Sequence, residues 1–218
     1  MTQALTGPVK PAKSGNRKAV VVLLHGYGAD GNDLIGLSDP LEDHLPDVEF
    51  RAPNAPERSA MNPMGYQWFP IPHMDGSTET QRDAGMAASI DLINAYIDGI
   101  EAEGVPASKI ALVGFSQGTM MSLHVAPRRE KQLACVVGYS GRLLAPERLP
   151  AEIRTRPPVL LAHGTADPVV PFSSMEEARQ GLEAAGIEAA TLGCPGVPHS
   201  ISPDGLVAAL RLLKTWLD

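Results

Sequence analysis

The chain has 218 residues, enough for one sizeable domain, taken as 1–218, with a core that needs no staples. A formal net charge of −7 and a pI near 5.4, without any run of Lys or Arg, argue against nucleic acid or an anionic membrane as the main partner. No apolar stretch approaches transmembrane length, the first residues lack a charged region followed by an apolar one, and Cys135 and Cys194 offer no metal-ligand spacing, so the expectation is a cytoplasmic protein with no metal.

Taken in chain order, residues before Lys18 are read as an antiparallel edge, and Ala19-Val20-Val21-Val22-Leu23-Leu24 as the first clear strand. The loop after it, His25-Gly26-Tyr27-Gly28-Ala29-Asp30-Gly31, holds three glycines that let its backbone approach a ligand closely. Read blandly, this is a Gly-rich turn. Val48-Glu49-Phe50-Arg51-Ala52 is the next strand, and 53–77 follows as an irregular stretch. Five prolines with Met61, Met64, Tyr66, Trp68, Phe69 and Ile71 make that stretch too apolar for a plain linker, and it reads as an ordered wall or lid over a site.

From about Thr80 to Glu103, Met86, Ile90, Ile93, Ile97 and Ile100 recur at helical spacing as one stripe laid on a sheet, with Asp91, Asp98 and Glu101 on a solvated face. The apolar run Lys109-Ile110-Ala111-Leu112-Val113 then leads into Gly114-Phe115-Ser116-Gln117-Gly118. G-x-S-x-G between a strand and a helix describes a turn so tight that glycine flanks it, lifting a serine oxygen to the top of the sheet. A helix from Thr119 to Ala126 completes that context, and Ser116 becomes a candidate nucleophile.

Strands continue with Ala134-Cys135-Val136-Val137-Gly138-Tyr139 and Val159-Leu160-Leu161-Ala162, and more weakly with Glu188-Ala189-Ala190-Thr191-Leu192. Helices are expected at Ser173 to Ala185 and along Leu206, Leu210, Leu213 and Leu217, the last opened by Ser202-Pro203-Asp204. Apolar strands alternating with helices give an α/β fold, a mostly parallel central sheet with helices on both faces.

A serine needs a base, and the base a third group to orient it. His124 sits in the helix that carries the chain away from the elbow. His163 ends a strand and reads as a residue holding the loop, whereas His199 lies past the last strand in Gly196-Val197-Pro198-His199-Ser200, where a base belongs. For the acid, Asp167 in a loop bounded by Gly164 and Pro168 is preferred to Asp204, whose place in a first helical turn has an electrostatic explanation. Oxyanion donors are assigned to the backbone amides of Gln117 and Tyr27. Met64, Trp68, Phe69, Ile71, Val169 and Val170 are candidates for the substrate wall, with core packing as the alternative for each.

With His-Gly-Tyr-Gly-Ala-Asp, Gly-Phe-Ser-Gln-Gly, His-Gly-Thr-Ala-Asp-Pro-Val-Val-Pro and His199-Ser200 in this order, the chain resembles the phospholipase/carboxylesterase family of α/β-hydrolases from about Val20 to its end. The resemblance implies a compact α/β-hydrolase without a large cap domain, a Ser116, Asp167 and His199 triad, and oxyanion donors at Tyr27 and Gln117. Two departures stand out. Tyr27 replaces the leucine usual in the family's acyl-protein thioesterases, and Trp68-Phe69-Pro70-Ile71 stands where their loop reads tryptophan-phenylalanine-aspartate. The expected activity is a serine carboxylesterase acting on small-to-medium esters, with no cofactor and no stable membrane association. Acyl-protein thioesterase, lysophospholipase and, more distantly, a silent binding protein on the same fold are the alternatives; a homodimer is left open.

Overall fold

The computed structural model describes residues 4–218. Seven strands form the central sheet in the order β1-β3-β2-β6-β7-β8-β9: β1 (Val9–Lys10), β2 (Ala19–Leu24), β3 (Val48–Arg51), β6 (Ile110–Phe115), β7 (Val136–Tyr139), β8 (Val159–Gly164) and β9 (Ala189–Cys194). All neighbours pair in parallel except β1, which runs antiparallel to β3 as the edge expected from the sequence. A two-stranded ribbon, β4 (Glu57–Arg58) with β5 (Tyr66–Gln67), stands apart from the sheet.

Alternation along β2 shows how both faces are covered. Val20, Val22 and Leu24 pack toward α3 (Glu79–Ala102), α4 (Gln117–Val125) and α6 (Ser173–Ala184), while Ala19, Val21 and Leu23 pack toward α1 (Gly31–Ile35) and α7 (Pro203–Leu217). Successive side chains point to opposite faces, and a strand apolar at every position can bury both. On α3 the stripe of Ile93, Ile97 and Ile100 is buried as its spacing predicts. On its acidic side Asp91 and Asp98 are exposed as expected, whereas Glu101 is mostly buried; Asp98 and Glu101 pair with the buried Arg129 at 2.6 and 2.8 Å. A buried guanidinium needs such partners.

Two parts of the chain depart from the sequence reading. The stretch 53–77 is not irregular throughout: it contains the β4–β5 ribbon and one helical turn, α2 (Pro72–Asp75), closed by Gly76 in the left-handed region. A further turn of helix, α5 (Leu149–Glu152), lies between β7 and β8. Strands spaced too briefly for a periodic signal leave no pattern to read. No large domain is inserted over the sheet, so the fold is the α/β-hydrolase arrangement, and the chain reverses its winding where β2 and β6 lie side by side with Leu24 opposite Gly114. Ligand sites of open α/β sheets form at the carboxyl ends of strands at such a switch point.

Candidate active site

Ser116 leaves β6 at φ 53° and ψ −114°, a left-handed conformation that a side chain adopts only at a cost of about 1–3 kcal/mol. The surroundings hold it there. Its amide donates to the Tyr139 carbonyl at 2.8 Å, and the Thr119 hydroxyl lies 2.8 Å from both the Gly114 and the Tyr139 carbonyls. The flanking glycines answer to space: a Cβ on Gly118 would meet the Leu24 carbonyl oxygen at 1.8 Å, and one on Gly114 would meet the Thr119 nitrogen at 2.4 Å. Gln117 and Gly118 thereby begin α4, whose first amides have no partner within the helix.

At the far ends of β8 and β9 two loops bring an acid and a base together. The side chain of Asp167 is fully buried, and its Oδ1 accepts from the Val169 and Val170 amides at 2.8 and 2.9 Å. Its Oδ2 lies 2.7 Å from His199 Nδ1. Burial pushes this carboxyl upward, but the hydrogen bonds from His199 and the Val170 and Val169 amides outweigh it and hold the group below its usual range. An ionised carboxylate only accepts, so the His199 proton belongs on Nδ1 and Nε2 keeps a free lone pair. The His199 ring rests on Phe115, the residue before Ser116, with centroids 4.8 Å apart.

His163 serves that loop. It is buried at the end of β8, its Nε2 donates to the Val170 carbonyl at 3.0 Å and lies 3.2 Å from Asp167 Oδ2. His124 lies on α4 away from the acid, and burial followed by the charge of Arg128 lowers it to about 4. Asp204 is exposed in the first turn of α7, next to the Ser202 cap that accepts from Gly205. The structure therefore places Ser116 and His199 on one cavity with Asp167 bonded to His199, keeps His163 beside the acid but off that cavity, and leaves His124 and Asp204 elsewhere.

The loop expected to supply an oxyanion donor at Tyr27 is held by residues that the sequence reading passed over. His25 is completely buried, and its Nε2 accepts from the Ala55 amide at 3.0 Å, which puts the ring proton on Nδ1. That Nδ1 donates to the Gly26 carbonyl at 2.8 Å. A trans peptide holds its C=O and N–H on opposite sides, so turning the Gly26 carbonyl to the His25 ring turns the Tyr27 N–H the other way. Burial lowers the His25 pKa, which keeps the ring in the neutral form that this pair of bonds requires. A lone polar ring ending an apolar strand was the available signal.

The Gln117 side chain joins two segments. Its Oε1 accepts from the Trp68 amide at 2.8 Å and its Nε2 donates to the Phe69 carbonyl at 2.7 Å, tying 53–77 to the start of α4. Asp75 fastens the same segment at its other end. Its Oδ2 accepts from the Ile71 amide at 2.8 Å and from the Tyr27 hydroxyl at 3.1 Å. Although burial pushes the Asp75 carboxyl upward, bonds from Ser77, Ile71 and Tyr27 hold it at about 2.

These loops enclose a cavity of about 710 Å³, the size of a small-molecule site. Ser116, Gln117, Tyr27 and His199 line it, as do Phe69, Ile71, Val169 and Val170 from the expected wall, and Met74 and Met120 beside them. Two expected wall residues lie outside it. Met64 is 80% exposed near the β4–β5 ribbon, and Trp68 is wholly buried, its indole N–H donating to the His25 carbonyl at 2.9 Å and its ring 5.3 Å from the His25 ring. An aromatic with a polar edge is better satisfied behind the loop, where a carbonyl waits, than on an apolar wall. Among the described residues no helix is long and apolar enough to cross a membrane, and no three His, Cys, Asp or Glu are grouped to hold a metal ion.

Comparison with known proteins gives the same arrangement a lineage. The family model described as Phospholipase/Carboxylesterase matches residues 8–217. A probable carboxylesterase from Oryza sativa subsp. japonica is 30% identical over 96% of this chain and 80% of its own length. Acyl-protein thioesterase 1 from Neurospora crassa is 32% identical over 84% of this chain and 80% of its own. Among solved structures, esterase PE8 superposes with a TM-score of 0.92 at 42% identity, covering 99% of this chain and 100% of that one. A phospholipase/carboxylesterase from Dyadobacter fermentans gives 0.79 at 26% identity over 98% of both chains. The chain belongs to the phospholipase/carboxylesterase family of α/β-hydrolases, enzymes that act through a serine nucleophile.

Proposed function

We propose that the protein is a serine carboxylesterase that hydrolyses small-to-medium carboxylic esters through an acyl-enzyme on Ser116. One observation carries this reading: the strained Ser116 turn opens into the same cavity as a His199 ring whose Nδ1 is bound 2.7 Å from the Asp167 carboxylate. Ser116 Oγ attacks the acyl carbon while His199 Nε2 takes its proton. Negative charge then gathers on the carbonyl oxygen, and the Tyr27 and Gln117 amides hold it, each for about 3–4 kcal/mol. His199 Nε2 returns the proton to the departing alcohol as the C–O bond breaks. Water, deprotonated by His199, attacks the acyl-enzyme and releases the acid and Ser116. Asp167 stays ionised throughout and stabilises the imidazolium.

Phe69 and Ile71 wall the acyl group in this reading, Val169 and Val170 wall the cavity beside His199, and Trp68 supports the oxyanion loop from behind. No cofactor enters any step. Two unpaired, buried cysteines suit a cytoplasmic setting. A fluorophosphonate probe is expected to label Ser116 alone, and Ser116→Ala to abolish both labelling and ester turnover; wild-type turnover in that variant would overturn the assignment.

A second reading, thioester or lysolipid hydrolysis, draws on the relatives named acyl-protein thioesterase 1 and on a groove of about 640 Å³ next to the cavity, lined in part by Met86, Ile90 and Leu144. Long-chain thioesters and lysolipids compared with short alkyl and aryl esters, each as kcat/KM, separate the two.

A further inference from the structure

Two arginines line the catalytic cavity, and they differ in their partners. Arg82, on α3, is paired with Glu79 and with Asp83 at 2.8 Å, so its charge is answered. Arg142 comes from the loop after β7 and, among the described residues, makes no ion pair and no side-chain hydrogen bond. Most arginines of this acidic chain are drawn to carboxylates, as Arg17, Arg51, Arg128 and Arg179 are. Glu147 lines the adjoining groove but not the cavity. An unanswered guanidinium therefore stands in the cavity of a protein whose net charge is −7.

The Arg142 side chain is exposed, and the backbone that carries it is held by the turn before it. Ser140 adopts φ 47°, its amide donates to the Ala162 carbonyl at 3.0 Å, and a Cβ on Gly141 would lie 2.9 Å from the Ser116 carbonyl oxygen. The loop that carries Arg142 is thus pressed against the backbone of the nucleophile. Arg142, with Phe69 and Arg82, lines both the cavity and the groove, whereas His199 and Val169 line the cavity alone. The leaving alcohol must sit beside His199, which protonates it, so the end of the cavity toward Arg142 receives the acyl group.

We propose that Arg142 is a specificity residue that binds a free carboxylate at the far end of the acyl chain, so that the enzyme prefers hemiesters of dicarboxylic acids to the corresponding neutral diesters. This rests on Ser116 acting as the nucleophile. One unpaired guanidinium answers one negative charge, and its planar fork matches a carboxylate in two parallel hydrogen bonds. A phosphate monoester would bring nearly twice that charge to the same single cation.

The test measures kcat/KM for monoethyl and diethyl succinate, glutarate, adipate and suberate with wild type, Arg142→Gln, Arg142→Lys and Arg211→Gln. Arg211 is exposed on α7 and outside the cavity, so its variant controls for net charge. In wild type the hemiester-to-diester ratio should rise to a maximum at the chain length that reaches the guanidinium. Arg142→Gln should lower that ratio about tenfold, chiefly through KM, with Arg142→Lys between the two. About half-molar salt should narrow the wild-type ratio, and Arg211→Gln should keep it. A ratio equal in wild type and Arg142→Gln, or one that Arg211→Gln moves as far, overturns the proposal while leaving ester hydrolysis at Ser116 intact. Wild-type turnover of the diesters by Ser116→Ala would instead bring down the underlying reading, and this one with it.

Discussion

On the proposed acid and base side of the site, Asp167 and His199 present side-chain atoms, and the contacts around them are made to those atoms: the Val169 and Val170 amides, His163 close by, and Phe115 beneath the imidazole. On the proposed oxyanion side, Tyr27 and Gln117 would offer main-chain amides, and side chains there act at one remove. His25 turns the peptide that carries the Tyr27 N–H, and the Gln117 side chain clamps the Trp68 and Phe69 backbone. The difference teaches where function is vulnerable. A group supplied by a side chain is lost with that side chain, whereas a group supplied by the backbone is lost only when its orientation is.

The sharpest break in this comparison is Asp167→Asn. An amide in place of the carboxylate no longer fixes the His199 tautomer, and kcat should fall on the order of 10⁴-fold. Asp204→Asn, in a first helical turn, should stay within about twofold. Comparable losses in the two variants would mean that the acid has been misplaced. Acid titration adds a second readout. The folded Asp167 carboxyl lies below its unfolded value near 3.8, so its stabilisation is fully present above that value and lost as pH falls through the lower folded one. Asp167→Asn should therefore lose less stability than wild type on acidification across that window.

A smaller effect is expected from His25→Ala, which removes no group that touches substrate. Released from the ring, the Gly26 carbonyl and with it the Tyr27 N–H lose their fixed direction, and kcat should drop about ten- to a hundredfold with KM little changed. Affinity for a boronate analogue of the tetrahedral intermediate should fall in parallel. Equal losses in kcat/KM and in binding of a ground-state ester analogue would point to simple collapse of the cavity. The mildest change is Tyr27→Phe. Its hydroxyl donates to Asp75 and lies beside Ser59 and the Met61 backbone, all outside the reacting groups, so kcat should stay within about threefold while the melting temperature falls slightly.

The same contrast explains what could be read before the fold was known. Ser116, Asp167 and His199 stand in short motifs at strand ends, and chain order with strand topology was enough to nominate each of them. The stripe of Ile93, Ile97 and Ile100 likewise follows from local spacing alone, because helical period and burial of one face are the same fact. Trp68 was the instructive miss: an aromatic in an apolar loop can face a cavity or fill the space behind it, and only the His25 carbonyl waiting for its indole N–H decides.

By itself the sequence determined the alternation of strands and helices, the strained turn at Ser116 and the identity of the groups on offer, since these depend on residues near one another in the chain. Tertiary structure decided the tautomer of His25 through Ala55, 30 residues away, and the clamp from Gln117 to Trp68, 49 residues away. It also left Arg142 without a carboxylate beside the nucleophile. Hydrogen bonds and the spaces between loops depend on position in three dimensions, and no local pattern encodes which distant backbone atom a side chain will meet.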